Sequence, residues 1–209
     1  MLTSSSSAEP KLTFDRLTLR CDASDSNIVN TTPWNWSICA GEKICIISSN
    51  SFLKDQLMAV ISGFVHPVSG DFEAFGSLSW PLGGEGGLDS KLTIGKGLEF
   101  LSSIYSDCHE ASLVSVDDFF EVLQTRSIDS NMRLKDLVKE QKDFFYMMLS
   151  ILFSFDIYIV PRSKFLMTKE AKPLRNLLHK QLSDSKSLVT VTVNNRFRRE
   201  FCNRGMVLG

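Results

Sequence analysis

The sequence predicts an α/β fold with a mainly parallel sheet, an N-terminal antiparallel β layer and a helical subdomain. Three observations carry this prediction. Residues 44–47 (ICII), 156–160 (DIYIV) and 188–193 (LVTVTV) are β-branched, apolar runs that suit strands buried on both faces. Helical periodicity fills the intervals between them, as parallel strands require of their crossovers. Upstream, 11–21 and 34–38 read as strands joined by polar, turn-rich sequence.

Taken in order, 1–10 (MLTSSSSAEP) lacks an apolar centre and reads as a flexible tail, not a signal peptide. Residues 11–209 form one domain. The strand at 11–21 is followed by a polar stretch at 22–32, a returning strand at 34–38 and a tight turn at 40–43. After the strand at 44–47, Leu57, Met58 and Ile61 place a helix over 54–62, with Gly63 as its stop. Residues 71–80 read as strand, 81–87 (PLGGEGG) as a glycine-rich loop and 93–105 as a helix. A helical insert covers about 92–140. Residues 115–125 and 133–155 are helical by spacing. So is 163–182, where Pro173 marks a bend or a new first turn. A short helix at 197–202 and a strand at 206–208 close the chain.

Composition excludes several classes. Lys and Arg number 23 against 24 Asp and Glu, a formal net charge of −1, so no nucleic-acid partner is expected. The apolar run 144–155 (FFYMMLSILFSF) is shorter than the roughly 20 residues that span a bilayer and reads as a buried helix. Five cysteines, at 21, 39, 45, 108 and 202, are scattered and lack CxxC spacing, which reads as reduced thiols in a cytosolic protein. The isolated His66, His109 and His179 give no metal pattern.

Five stretches together carry a family resemblance. GEKICIIS, followed six residues later by Lys54, is similar to the strand and loop of a Walker A region. LMAVISGFVHPVSGDF follows with helix, glycine, turn and strand. SWPLGGEGGLDSKLTIGKGLEFLSSIY is the most specific. FDIYIV lies where a Walker B strand belongs, and REFCNRGMVL resembles the closing segment. Over residues 11–208 the chain resembles the ATP-binding subunit of an ABC transporter, of the capsular or surface polysaccharide export subgroup. That implies a P-loop NTPase-like ABC ATPase core.

The resemblance also says where the chemistry belongs, and there the residues change. A phosphate loop needs glycines so that backbone N–H groups can approach the phosphates. The matching residues run from Ser48 through Ser51, Phe52 and Leu53 to Lys54 and Asp55, without a glycine. Phe52 and Leu53 put bulk at the phosphate position. Lys54 remains as a phosphate partner. Asp55 replaces the hydroxyl that would hold Mg²⁺ and is expected to pair with Lys54. Ser48, Ser51, Lys54 and Asp55 are the candidate, degenerate cofactor-binding set.

The Walker B carboxylates are replaced by Pro161 and Arg162, so the metal-holding and water-polarising groups are absent. Glu140, beside Gln141, takes the place of the signature glycine. Asn194 or Asn195 stands for the switch histidine. Arg20 or Cys21 occupies the place of the adenine-stacking aromatic. No Gln lies between Gln56 and Gln124, and the aspartate expected after the Walker B pair falls at Thr168. No catalytic residue and no resident metal are therefore expected. ATP with Mg²⁺ is expected to bind weakly, if it binds.

The resemblance implies a cytoplasmic location, peripheral at the inner membrane through protein contacts. The partners would be a transporter membrane subunit and a second ATPase-like subunit. The expected role is a structural or regulatory pseudo-ATPase. The alternatives are an interaction protein no longer coupled to transport and an atypical ATPase.

Overall fold

Two sheets form because the strands come in two chemical kinds. The computed structural model describes residues 9–21, 31–182 and 185–208. The expected tail (except 9–10) and most of the polar stretch at 22–32 lie outside them. β1 (Pro10–Thr18), β2 (Trp34–Cys39) and β4 (Ser69–Ala74) build an antiparallel sheet in the order β2-β1-β4. Its inner face carries Leu12, Phe14 and Leu17, and Phe14 stacks on Trp36 at 5.3 Å.

The second sheet is parallel. β3 (Lys43–Ile47), β5 (Ile157–Val160), β6 (Ser187–Thr190) and β7 (Arg204–Val207) lie in the order β5-β6-β3-β7. Every residue of β5 and β6 is buried. The pleat divides them: Ile157, Ile159 and Val189 join the core shared with the antiparallel sheet and α1 (Ser51–Ile61), while Tyr158, Val160 and Leu188 join the core of the helical layer. The reading as doubly buried strands is met at 157–160 and 188–190; the expected strand at 188–193 stops at Thr190 and leaves Val193 exposed, and β3 ends in an exposed Ile47. The expected strand at 71–80 stops at Ala74. Beyond it, Ser79 N donates to Ile157 O and Leu82 N to Ile159 O, so this segment lines the free edge of β5.

The insert contains α2 (Ile94–Ile104), α3 (Ser106–Glu110) and α4 (Val116–Gln124), starting at Thr93 and Ser115 caps for α2 and α4. The expected helix at 133–155 is shorter. A 3₁₀ turn at Leu134–Asp136 gives way to extended Leu137 and Val138, and α5 runs over Lys139–Leu152. It ends at extended Phe153, whose carbonyl accepts the Tyr158 hydroxyl at 2.8 Å. The residues Phe144–Leu152 are all buried. Pro173 begins a new helix, α6 (Lys172–Gln181), where its missing N–H costs no hydrogen bond. α7 (Asn195–Phe201) leads into β7. Among the described residues no helix is long and apolar enough to cross a membrane.

One polar residue inside α5 positions the glycine-rich loop. Ser150 Oγ donates to Tyr146 O and accepts from Trp80 Nε1 at 3.0 Å and Gly83 N at 3.2 Å. Trp80 thereby docks among Tyr105, Phe153 and Phe155. Gly83 turns the chain at φ +82°, where a side chain would be strained and its Cβ would meet Met147 at 3.1 Å.

Asp156, ahead of β5, accepts from both the N–H and the hydroxyl of Ser77, at 2.8 and 2.9 Å. Burial pushes this carboxyl up, but the Ser77 bonds, with Lys186 and Lys11 nearby, outweigh burial and hold it below the usual carboxylate range.

Two outcomes follow from this packing. Ser150→Ala leaves two partly buried donors without this acceptor and should cost about 1–3 kcal/mol in urea unfolding. Asp156→Asn should lower Tm at neutral pH. Because the native carboxyl is depressed, its contribution is present above the unfolded value of about 3.9 and is lost as pH falls through the native one, so the gap between the two proteins should close below about pH 3.9.

Candidate functional site

Parallel strands deliver their C-terminal ends to one edge of the sheet, and the loops leaving β3, β5 and β6 meet there. They enclose a cleft of ≈ 630 Å³. Ser51, Lys54 and Asp55 enter it from α1, Pro161 and Arg162 from the end of β5, and Asn194 from the segment after β6. Ser48 lines a smaller adjoining cavity of ≈ 110 Å³, with Lys54 and Arg198. The structure thus brings Ser51, Lys54, Asp55, Pro161, Arg162 and Asn194 together around one cleft, with Ser48 beside it. Asn195 is exposed on α7 and does not line the cleft.

The conformation between β3 and Lys54 departs from the expected loop. α1 starts at Ser51, three residues before the expected start at 54, with Asn50 as its N-cap. Asn50 Oδ1 accepts from Leu53 N at 3.1 Å, and Lys54 N donates to Asn50 O at 3.3 Å. The Asn50 N–H is itself taken by Ser48 Oγ at 3.2 Å. None of the residues from Ser48 to Lys54 has a positive φ. A phosphate nest needs unpaired N–H groups converging through alternating αR and αL residues. Here the same residues form a capped first turn. Asn50 Nδ2 also donates to Cys21 O at 2.6 Å, tying this turn to the chain beyond β1.

Two expectations are corrected by this helix. Leu53 does not occupy the phosphate position: it is 2% exposed and packs in the core beneath the sheet. Asp55 does not pair with Lys54. No ion pair joins them among the described residues, because consecutive helical residues point in different directions. Lys54 is half-buried and Asp55 exposed.

At the end of β5 the chain offers hydroxyls and cations. Ser163, 2% exposed, bonds the Thr192 hydroxyl, and Thr192 Oγ1 accepts from Asn194 N at 3.1 Å. Thr190 Oγ1 donates to Val160 O at 2.7 Å. These bonds stitch the ends of β5 and β6. Arg162 and Lys164 stand exposed at the rim. With Lys54 they make the cleft cationic, with Asp55 as its lining carboxylate. Lys164 and Arg198 were not among the expected site residues. They come from separate elements, and no local spacing marks them.

Asn194 caps α7, its Oδ1 accepting from Arg196 N and Phe197 N at 3.0 and 3.2 Å. Glu140 and Gln141 sit away from the cleft, in the first turn of α5. Gln141 Oε1 accepts from Val138 N, and its amide donates to Arg126 O and Ser127 O, so this side chain holds the helix start in place. Thr168 Oγ1 accepts from Ala171 N, and the Thr168 carbonyl accepts from the buried Arg175. Among the described residues no group of three His, Cys, Asp or Glu is placed to hold a metal ion.

No protein-family model matches the chain. It is 24% identical over 168 residues to a polysialic acid transport ATP-binding protein, KpsT, of Escherichia coli, an alignment covering 80% of this chain and 76% of that protein. It is 27% identical over 174 residues to the capsule polysaccharide export ATP-binding protein CtrD of Neisseria meningitidis, again over 80% and 76%. Among solved structures, the dimeric bacterial ABC transporter cassette MJ0796 superposes with a TM-score of 0.67 at 16% identity, covering 94% of both chains. An ATP-binding subunit of an ABC transporter gives 0.70 at 14% identity, covering 94% of this chain and 85% of that one. The chain has the fold of an ABC transporter ATPase cassette, and its homologues are ATP-binding proteins of polysaccharide export.

Proposed function

We propose that this chain is a cassette-fold subunit associated with polysaccharide export that does not hydrolyse ATP and acts structurally or regulatorily. The observation that carries this reading is the capped turn at Asn50. A triphosphate on a phosphate loop is held largely by backbone N–H groups, and the Leu53, Lys54 and Asn50 amides are already engaged. The residues present do not fit a magnesium–triphosphate group. Pro161 and Arg162 follow β5, so no carboxylate stands there to hold a metal or polarise water. Arg162 puts a positive charge where the general base would stand.

What persists is the means to dock. Phe64 is 71% exposed and lines a groove of ≈ 420 Å³ with Met58, Leu82 and Gly83, beside the loop that Ser150 holds. On the insert, Phe100, Ile104 and Leu113 are exposed. Large exposed apolar side chains at a groove suit a protein partner. In this reading the partner is a membrane subunit of the exporter, with a second ATPase-like subunit completing the assembly at the cytoplasmic face of the membrane.

A second reading, weak nucleotide binding without turnover, is favoured by the cationic lining of Lys54, Arg162 and Lys164. Thermal unfolding with and without Mg-ATP separates the two. The first expects an unchanged Tm at millimolar Mg-ATP and no phosphate release above that of Lys54→Ala. A rise in Tm that Lys54→Ala abolishes supports the second, since a ligand at 100 times its Kd stabilises by about 2.7 kcal/mol. Turnover lost with Lys54 overturns both. Recovery of an integral membrane protein with the chain from native membranes supports the transport association, and its absence favours a free interaction protein.

A further inference from the structure

Three cations around the cleft lack a counter-charge from their own chain. Lys54, Arg162 and Lys164 line it, and among the described residues none of the three side chains makes an ion pair or a hydrogen bond. Elsewhere cations find carboxylates: Arg175 and Arg196 pair with Glu200, Lys180 with Asp118, Lys186 with Asp156 and Arg204 with Glu42. The cleft sets three cations against one carboxylate, Asp55, in a chain whose formal net charge is −1. The adjoining cavity adds Arg198, whose guanidinium donates to the neutral Asn195 amide oxygen at 3.4 Å.

The scaffold holds these charges in place. Arg162 and Lys164 flank Ser163, which is 2% exposed and bonded to the Thr192 hydroxyl, so both neighbours are kept out at the rim. Arg175 grips the segment that follows, donating to Leu166 O and Thr168 O. Lys54 stands on the opposite wall, in the first turn of α1 behind the Asn50 cap. A concave wall of one charge sign concentrates its field on whatever anion enters.

We propose that the cleft binds a diphosphate anion without a metal ion, held by the side chains of Lys54, Arg162 and Lys164. This rests on the reading that the chain takes no magnesium–triphosphate, and names what the same cleft takes instead. Arginine offers phosphate oxygens a planar fork of N–H donors, and lysine a compact point charge. Two linked phosphate groups present oxygens to α1 and to the segment after β5 at once. The effect of Mg²⁺ is then reversed. Where carboxylates line a phosphate site, Mg²⁺ bridges them to the phosphate oxygens. Here the wall is itself cationic, so Mg²⁺ competes with the protein for the same oxygens.

The test is isothermal titration calorimetry of the full chain with inorganic diphosphate, first in EDTA and then in excess Mg²⁺. Binding is expected in EDTA and should weaken several-fold in Mg²⁺. Arg162→Gln and Lys54→Gln should each weaken it about tenfold, and Asp55→Asn should tighten it. None of these side chains belongs to either core, so the variants should fold. Arg199→Gln, an exposed arginine outside the cleft, should leave binding unchanged. ADP in EDTA should bind no tighter than diphosphate; much tighter binding of ADP overturns the proposal in favour of a nucleotide site. Binding that requires Mg²⁺, or that Arg199→Gln weakens as much as Arg162→Gln, also overturns it. No binding in EDTA overturns it while the reading of a chain without hydrolysis stands. Phosphate release from Mg-ATP that is lost in Lys54→Ala overturns the reading beneath it.

Discussion

The parallel sheet must be covered on both faces, and everything else is arranged around that constraint. β5 and β6 expose no residue, and their alternate side chains feed two different cores. One core needs the antiparallel sheet and α1, the other needs α5, α6 and the insert. Burial of such apolar side chains, at about 1.5–3 kcal/mol each, drives this arrangement. The same parallel geometry forces the C-terminal ends of β3, β5 and β6 to one edge, so a cleft opens there whatever residues line it. None of the cleft's charged side chains belongs to either core.

That separation leaves the charged residues of the cleft free to differ without loss of either core. A loop held open by glycines has unpaired N–H groups and weak local structure. The Asn-capped turn found here engages the Asn50, Leu53 and Lys54 amides inside the chain, and such a cap is worth roughly 1 kcal/mol. Here Asn50 does more than cap, since its amide also anchors the carbonyl of Cys21. Ser163 and Thr192 likewise close the end of β5 on β6. In the function proposed above, groups elsewhere used for ligand binding have become part of the scaffold, while the groove beside Phe64 stays open to a partner.

The buried strands were legible because β-branched runs have few other uses. The caps at Thr93 and Ser115, and the helix opening near Pro173, could also be read from local residue chemistry. α1 starts three residues earlier than the spacing of Leu57, Met58 and Ile61 places it, because apolar periodicity does not mark the first, capped turn. The local signal, Asn50 ahead of a glycine-free stretch, favoured a cap. The break at 137–138 was hidden by continuous helical spacing on both sides. Lys164 in the cleft, Arg198 in the cavity beside it and Ser150 under Trp80 all depend on contacts between distant segments. No periodicity within one segment encodes them.

Amide hydrogen exchange across residues 50–55, with and without saturating Mg-ATP, tests the central claim most directly. A capped first turn predicts slow exchange at Leu53 and Lys54 in the free protein and no change on adding nucleotide. Fast exchange at these amides that slows when Mg-ATP is added would mean that the segment is a working phosphate loop, and would contradict the account.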